Sequence, residues 1–329
     1  MATTDMQFYD NTRVSEFRRC PRRFYFRHVR DWTTLGTSPA LVFGSSWHEA
    51  MDTVWGCFKL GKQLSDEEIA SVAFESFCNK WAAEGMTPFD QMDADEMKQL
   101  KARTPMTAYE MIFNYVGERR GFLEDIEILD IEPPFAVPLD PDNPNLWYVG
   151  RLDKVWKRRG DIHVMEHKTT SLYSTTSTFR SMFVDSFSPN SQIDGYIHAG
   201  HMLYGDDFKG VWVDASLVHL KVHDGFKIIP VDRMFKQIDG WLYETHYWID
   251  SINRSLAMLD ESPDYDFMPS FPKNTNACTD FGGCPYMNIC RGYANPSKQE
   301  KAPPGFKEEH WAPFDVLNLK ALGLTDGEK

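Results

Sequence analysis

Residues 145–169 constrain the fold of this chain more than any other stretch. They read NLWYVGRLDKVWKRRGDIHVMEHKT. Two runs rich in β-branched and aromatic residues flank the basic turn Arg158-Arg159-Gly160-Asp161, which predicts a sheet with at least one hairpin. Successive side chains on a strand point to opposite faces, so Glu166 and Lys168 project together and His167 projects away from them. The first strand runs to Asp153, and the hairpin brings that carboxylate near the pair. Apolar neighbours (LWYV and IHVM) put these charges at the end of a buried sheet. Two adjacent carboxylates repel, and one resists ionising unless a cation lies between them. Magnesium or manganese is the natural cation for such oxygen ligands. A lysine beside it can orient or deprotonate a water, or stabilise charge on a phosphate. The plain alternative is an exposed, salt-bridged surface, where such pairs stabilise little.

Elsewhere the period alternates between helix and strand. Helical spacing predicts helices over 14–28 (capped by Ser15 and interrupted near Pro21), 45–59, 65–81, 93–120 with a break at Pro105, 190–205 and 233–259. Ser65 with Glu68 three residues on is a capping box. Strand character returns over 126–139, 208–222 and 226–232. The expected fold is α/β or α+β, a mixed central sheet flanked by helices. Along the chain this divides into a helical part (1–125), a sheet core (126–262), a cysteine-rich segment (263–295) and a tail (296–329), integrated as one domain.

Composition narrows the function. With 42% hydrophobic and 14% aromatic residues, a packed core is easily built. A net charge of −13 argues against a protein that coats nucleic acid, though not against a local basic groove. Seven arginines and one acid, Glu16, lie between residues 13 and 30. They are either a solvated helix face or phosphate contacts. The chain has no run of about 18 apolar residues and an N-terminus without an apolar segment, so no membrane span or secretion signal is expected. A cytoplasmic location, with reduced thiols, follows as the expectation. The stretch GCFKLGKQ (56–63) matches G-x-x-x-x-G-K but ends a helix and lacks Ser or Thr after the lysine, so it is no nucleotide site.

In a reducing compartment, the six cysteines read as metal ligands or as buried apolar residues. Cys278, Cys284 and Cys290 fall at even steps among glycines and prolines, which suits an ordered wrap around a metal. Cys57 and Cys78 lie on helical faces and read as core.

The ordered set GSSWHEA, GRLDKV, MEHKTTS and QIDGY resembles the PD-(D/E)XK nuclease superfamily. The likeness is greatest to its RecB-like branch, which includes AddB-type nuclease domains, iron–sulfur nucleases of CRISPR adaptation and phage exonucleases. The four motifs span about half of the chain, and the cysteines extend the match over most of it. The resemblance implies a restriction-endonuclease-like core. His48, Asp153, Glu166 and the His167 carbonyl would hold a metal ion, and Lys168 would be the catalytic lysine. Gln192 and Tyr196 would stand beside the site. A histidine ligand would favour manganese somewhat over magnesium. Cys20, followed by proline, would join Cys278, Cys284 and Cys290 around a 4Fe–4S cluster, with zinc as the alternative ion. The family's last three cysteines are commonly C-x2-C-x5-C, whereas both gaps here are five residues.

The implied substrate is DNA. Arg18, Arg22, Arg23 and Arg151, with Lys157, Arg158 and Arg159, are candidates to line the strand path. Tyr25 and Tyr173 are candidates to stack on bases. A helicase, recombinase or integrase is a conceivable partner. A binding-only protein on a nuclease scaffold is the non-enzymatic alternative.

Overall fold

The basic turn closes a two-residue hairpin in the computed structural model of the protein, which describes residues 6–36, 38–261 and 265–324. Arg159 and Gly160 have φ of 54° and 100°. Two successive positive φ values match the right-handed twist of the flanking strands. These strands belong to one of two units, made of Thr37–Pro134 and Arg151–Arg233. The other consists of Met1–Gly36, Phe135–Gly150 and Met234–Lys329.

The first unit opens with helices α1 (Pro39–Lys59), α2 (Asp66–Ala83), α3 (Ala94–Leu100) and α4 (Pro105–Glu124). Strands β1 (Glu127–Ile131), β2 (Lys154–Arg158) and β3 (Asp161–Thr170) follow, then α5 (Ser191–Tyr204), β4 (Phe208–Leu217) and β5 (Phe226–Val231). The sheet order is β5-β4-β3-β2-β1. Only the β3–β4 pair is parallel, and α5 makes its crossover. This is the expected mixed sheet flanked by helices.

Periodicity decides which face meets which helix. Met165 and His167 of β3 face α1 and α4, where Trp47, Trp55, Met111, Tyr115 and Trp156 build the core. Glu166 and Lys168 face the other way, toward α5. Behind His167 the core holds a charged group: Asp214 of β4 is fully buried. It accepts from Arg119 Nη2 at 2.8 Å, Arg119 Nε at 3.1 Å and Tyr115 Oη at 2.9 Å. A buried carboxylate persists only with such partners.

Several sequence expectations need correction. The expected break at Pro105 is present, since it starts α4 after α3 has ended at Leu100, but other bounds shift. The stretch 126–139 is not one strand: β1 ends at Ile131, Glu132 turns at φ 54°, and Pro134–Pro138 joins a different sheet. Likewise Asp153 does not end a strand. It lies at a bend between Leu146–Arg151, which pairs in that other sheet, and β2. Ser15 is not a cap, since Asn11–Arg19 begins earlier and Asp10 accepts from Arg13 N at 2.7 Å. The capping box at Ser65 and Glu68 is present. The G-x-x-x-x-G-K stretch runs off the end of α1 and follows no strand.

Asn190 caps α5 by accepting from Gln192 N at 3.0 Å and Ile193 N at 3.2 Å. Asn190→Ala is expected to cost about 1 kcal/mol, read as a lower denaturation midpoint in urea, because the helix start loses its only side-chain acceptor.

The second unit holds a three-stranded sheet of Gln7–Tyr9, Leu146–Arg151 and Pro134–Pro138, in that order, with Gln7–Tyr9 parallel to Leu146–Arg151. Trp241 of the long helix Phe235–Glu261 packs edge-on against Tyr148. Phe24, Tyr25, Phe26, Trp32, Phe271 and Tyr286 form an aromatic cluster. Among the described residues, no helix is long and apolar enough to cross a membrane.

Candidate metal centre and cysteine pocket

Helix α1 buries Trp47, Ala50, Met51, Val54 and Trp55, which turns His48 and Asp52, one helical turn apart, toward a cleft. The cleft has a volume of about 790 Å³, and its lining includes His48, Asp52, Lys80, Glu132, Arg151, Asp153 and Lys168. Lys154 pairs with Met165 across the β2–β3 hairpin, so Asp153 and Glu166 each lie one residue beyond that pair, at the same end. The register explains why these two carboxylates lie close enough to influence each other.

Asp153 Oδ2 lies 3.1 Å from His48 Nδ1 and accepts from the His167 amide at 2.8 Å. His48, Glu132 and Asp153 offer ligand atoms that all lie within 4.8 Å of one another. Glu166 Oε1 contacts the Lys168 ammonium and accepts from Gln192 Nε2 at 3.1 Å. Its other oxygen, Oε2, is buried with no hydrogen-bond partner among the described residues. Lys168 Nζ donates to Gln192 Oε1 at 3.0 Å, and Gln192 Nε2 donates to Tyr196 Oη at 3.0 Å. Of the expected residues, His48 and Asp153 are thus in contact, and Glu166, Lys168, Gln192 and Tyr196 form a second hydrogen-bonded set; Glu166 is not among the three whose ligand atoms converge. The His167 ring is turned away into the core, against Trp55 and Tyr115.

The electrostatics describe a site short of positive charge. Burial raises the Glu132 carboxyl, and the Asp153 and Asp52 carboxylates raise it further, to about 7. Burial and then Asp153 push Glu166 up as well. For His48 burial opposes the charged form, but the Asp153 and Glu166 carboxylates outweigh it and lift its pKa to about 9. Burial works against an ionised Asp153, yet His48 and Lys154 hold it below the usual carboxylate range. Lys168 is raised in the same way, with Glu166 and Asp153 overcoming burial. A proton on His48 therefore does part of what a divalent cation would do among these acids. The donor set of hard oxygens and one imidazole, with an unpartnered buried carboxylate oxygen beside it, fits such an ion.

Sequence reasoning missed Glu132. It follows β1, next to the pair Ile131–Lys154, and its amide donates to the Asp153 carbonyl at 2.8 Å. Its left-handed φ of 54° is uncommon for a glutamate. The available signal was an acid before Pro133-Pro134 at the end of an apolar run, but only the strand register aims it at Asp153. Asp52 and Lys154, which pair with each other, were missed too.

The arginine expectations fare unevenly. Arg22 is corrected: it is buried, and its guanidinium donates to the Phe271 carbonyl at 2.8 Å and the Met268 carbonyl at 3.0 Å, so it is committed to the fold. Arg23 is bound to Glu16 at 2.7 Å. Arg18 is exposed and lies over the Trp248 ring. Arg151 lines the cleft, 3.9 Å from Glu132. Tyr25 is buried and offers no face to a base, which corrects that expectation.

In the other unit, Cys20, Cys278, Cys284 and Cys290 line one cavity together with Arg23, Lys273 and Asn274. Cys20 stands in extended backbone between Arg19 and Pro21. Its sulfur accepts from Asn274 N at 3.4 Å, and Asn274 Nδ2 donates to the Arg19 carbonyl at 2.8 Å. The Cys284 amide donates to the Cys278 carbonyl at 2.8 Å. Burial pushes the Cys290 thiol up to about 11, and raises Cys284. Thiols in such a pocket need a bound cation to become thiolates.

Comparison with curated proteins finds no match. A family model described as PD-(D/E)XK nuclease superfamily matches residues 11–291, a span that contains both the carboxylate–lysine centre and the four cysteines. Proteins of that superfamily are in general phosphodiester-cleaving nucleases that use divalent metals. With most of its length matched, the chain belongs to the PD-(D/E)XK nuclease superfamily.

Proposed function

We propose that this protein is a divalent-metal-dependent DNA exonuclease of the RecB-like kind, carrying a structural 4Fe–4S cluster. The observation that carries the reading is the convergence of His48, Glu132 and Asp153 within 4.8 Å, beside Glu166 and Lys168. His48, Glu132, Asp153 and Glu166 would hold magnesium or manganese. The ion supplies positive charge to a phosphoryl oxygen and acidity to a water. The remaining work falls to the chain. Lys168, kept charged by Glu166 and Asp153, presents an ammonium to the developing charge on the phosphate. Gln192 fixes both Glu166 and Lys168, and Tyr196 fixes Gln192. Arg151 and Lys80 on the cleft wall are placed to contact backbone phosphates.

The cluster reading is supported by four cysteines on one cavity. The cluster is read as structural, since its four cysteines tie residue 20 to residues 278–290 within one unit. DNA processing with a helicase, recombinase or integrase is the fitting context.

The test uses anaerobically purified protein on end-labelled linear DNA, single- and double-stranded, with a circular control. Manganese or magnesium should support release of label from linear DNA, and EDTA should stop it. Circular DNA should survive. Cleavage of circles at the same rate would make it an endonuclease. Metal-independent binding without any cleavage would favour a binding protein instead. Iron and sulfide content near four each per chain is the matching expectation for the cysteines, and zinc in their place would overturn the cluster.

A further inference from the structure

Lys154 has no role in the reading above, yet it is wholly buried beside the centre. Its ammonium contacts Asp52 Oδ1 and lies 3.9 Å from Glu132 Oε1. Glu132 is in turn one of the three residues whose ligand atoms converge. A lysine stays charged at such depth only if acids surround it. Asp52, Glu132, Asp153 and Glu166 place four carboxylates in one neighbourhood. Lys154 and Lys168 are the two ammoniums in contact with them. With His48 neutral, as a metal ligand must be, two negative charges remain on the buried and half-buried groups, the charge of one divalent ion; Glu49 on the cleft rim is exposed and screened by water, and Lys80 is paired with Glu84 at 3.2 Å. Arg151, 3.9 Å from Glu132 with its side chain 43% exposed, is screened by water and alters the balance little. A second divalent ion would leave the buried site with excess positive charge.

We propose that the Lys154 ammonium is a built-in cation that fills the acidic ground between Asp52 and Glu132 and so limits the centre to one divalent ion. This rests on the divalent-metal reading of the site. Lys154 is a positioning residue: it keeps Glu132 aimed at His48 and Asp153 and denies the Asp52 side to solvent cations. Removing it exposes Asp52 and Glu132 to each other with no cation between them, which is the condition under which paired carboxylates capture one.

The experiment titrates Mn2+ into the anaerobic full chain, freed of divalent ions with its cysteine-bound metal retained, by calorimetry, with low-temperature electron paramagnetic resonance on the same samples. Wild type should bind one ion, with the spectrum of an isolated Mn2+. Lys154→Met should bind two, with the broadened spectrum of a spin-coupled pair. Lys154→Gln, which keeps an amide donor toward Asp52, should do the same and covers the case in which the methionine variant does not fold. Two ions in wild type, or one ion in a folded variant, overturns the proposal. No ion in wild type sinks the metal reading itself, a different result. A merely structural Lys154 would lower stability without moving the stoichiometry.

Discussion

Lys168→Ala is expected to lower kcat for phosphodiester cleavage by about 10²–10⁴ while leaving Mn2+ affinity nearly unchanged. The asymmetry comes from where the ammonium sits. It contacts Glu166 Oε1 and donates to Gln192 Oε1, and a protonated amine has no lone pair to offer a metal. Burial opposes its charge, but Glu166 and Asp153 overcome that and keep the amine protonated. In the proposed reaction it would serve as a fixed positive charge toward the phosphate, so its loss would be felt most when negative charge develops there. Truncation also frees Glu166 Oε1, which does not weaken a ligand. Single-turnover cleavage at saturating Mn2+, with affinity measured separately, checks both halves. A rate within tenfold of wild type would remove Lys168 from the chemistry. A large loss of affinity would make it a metal-site residue instead.

Mn2+ affinity should rise about a thousandfold between pH 6 and pH 8, because binding displaces the proton on His48 (pKa about 9) and the one on Glu132 (pKa about 7). The sign follows from the ligand forms. Metal needs a neutral imidazole and ionised carboxylates, so each proton bound in the free site competes with it. Below pH 7 both protons are displaced, and the affinity gains about a hundredfold per pH unit. Between 7 and 9 only His48 remains, and the gain is about tenfold per unit. The metal-free protein runs the opposite way. A His48 pKa raised above its unfolded value of about 6.5 gives stability that is complete below that pH. It is lost as pH rises through about 9. Calorimetric titrations at pH 6, 7 and 8, corrected for buffer ionisation, would show proton release falling from two toward one. A flat profile would mean that these two residues are not ligands.

How much of this was legible in the sequence differs from residue to residue. The hairpin, the shared face of Glu166 and Lys168, and the opposite face of His167 are consequences of a period of two, a property of neighbours in the chain. The cap at Ser65, the break at Pro105 and the turn at Arg159-Gly160 are equally local. Gln192 and Tyr196 were placed beside the site by the family resemblance, and their spacing of four puts them one helical turn apart. The arginines were not legible. Arg22 looks like a phosphate contact in FRRCPRRF, but its guanidinium is spent on two carbonyls near residue 270.

The sequence by itself determined the alternation of elements, the two-faced strand that carries Glu166 and Lys168, and the residue types suited to a divalent ion. Only the tertiary structure decided that Glu132 joins His48 and Asp153. It also decided that Lys154 is buried between acids, and it brings to one cavity the four cysteines that the resemblance had grouped. Local features depend on backbone sterics and on periods of two or 3.6 residues, which adjacent residues reveal. The others depend on strand register, a left-handed residue after β1 and the closure of long loops, whose outcome is set by packing across the whole unit.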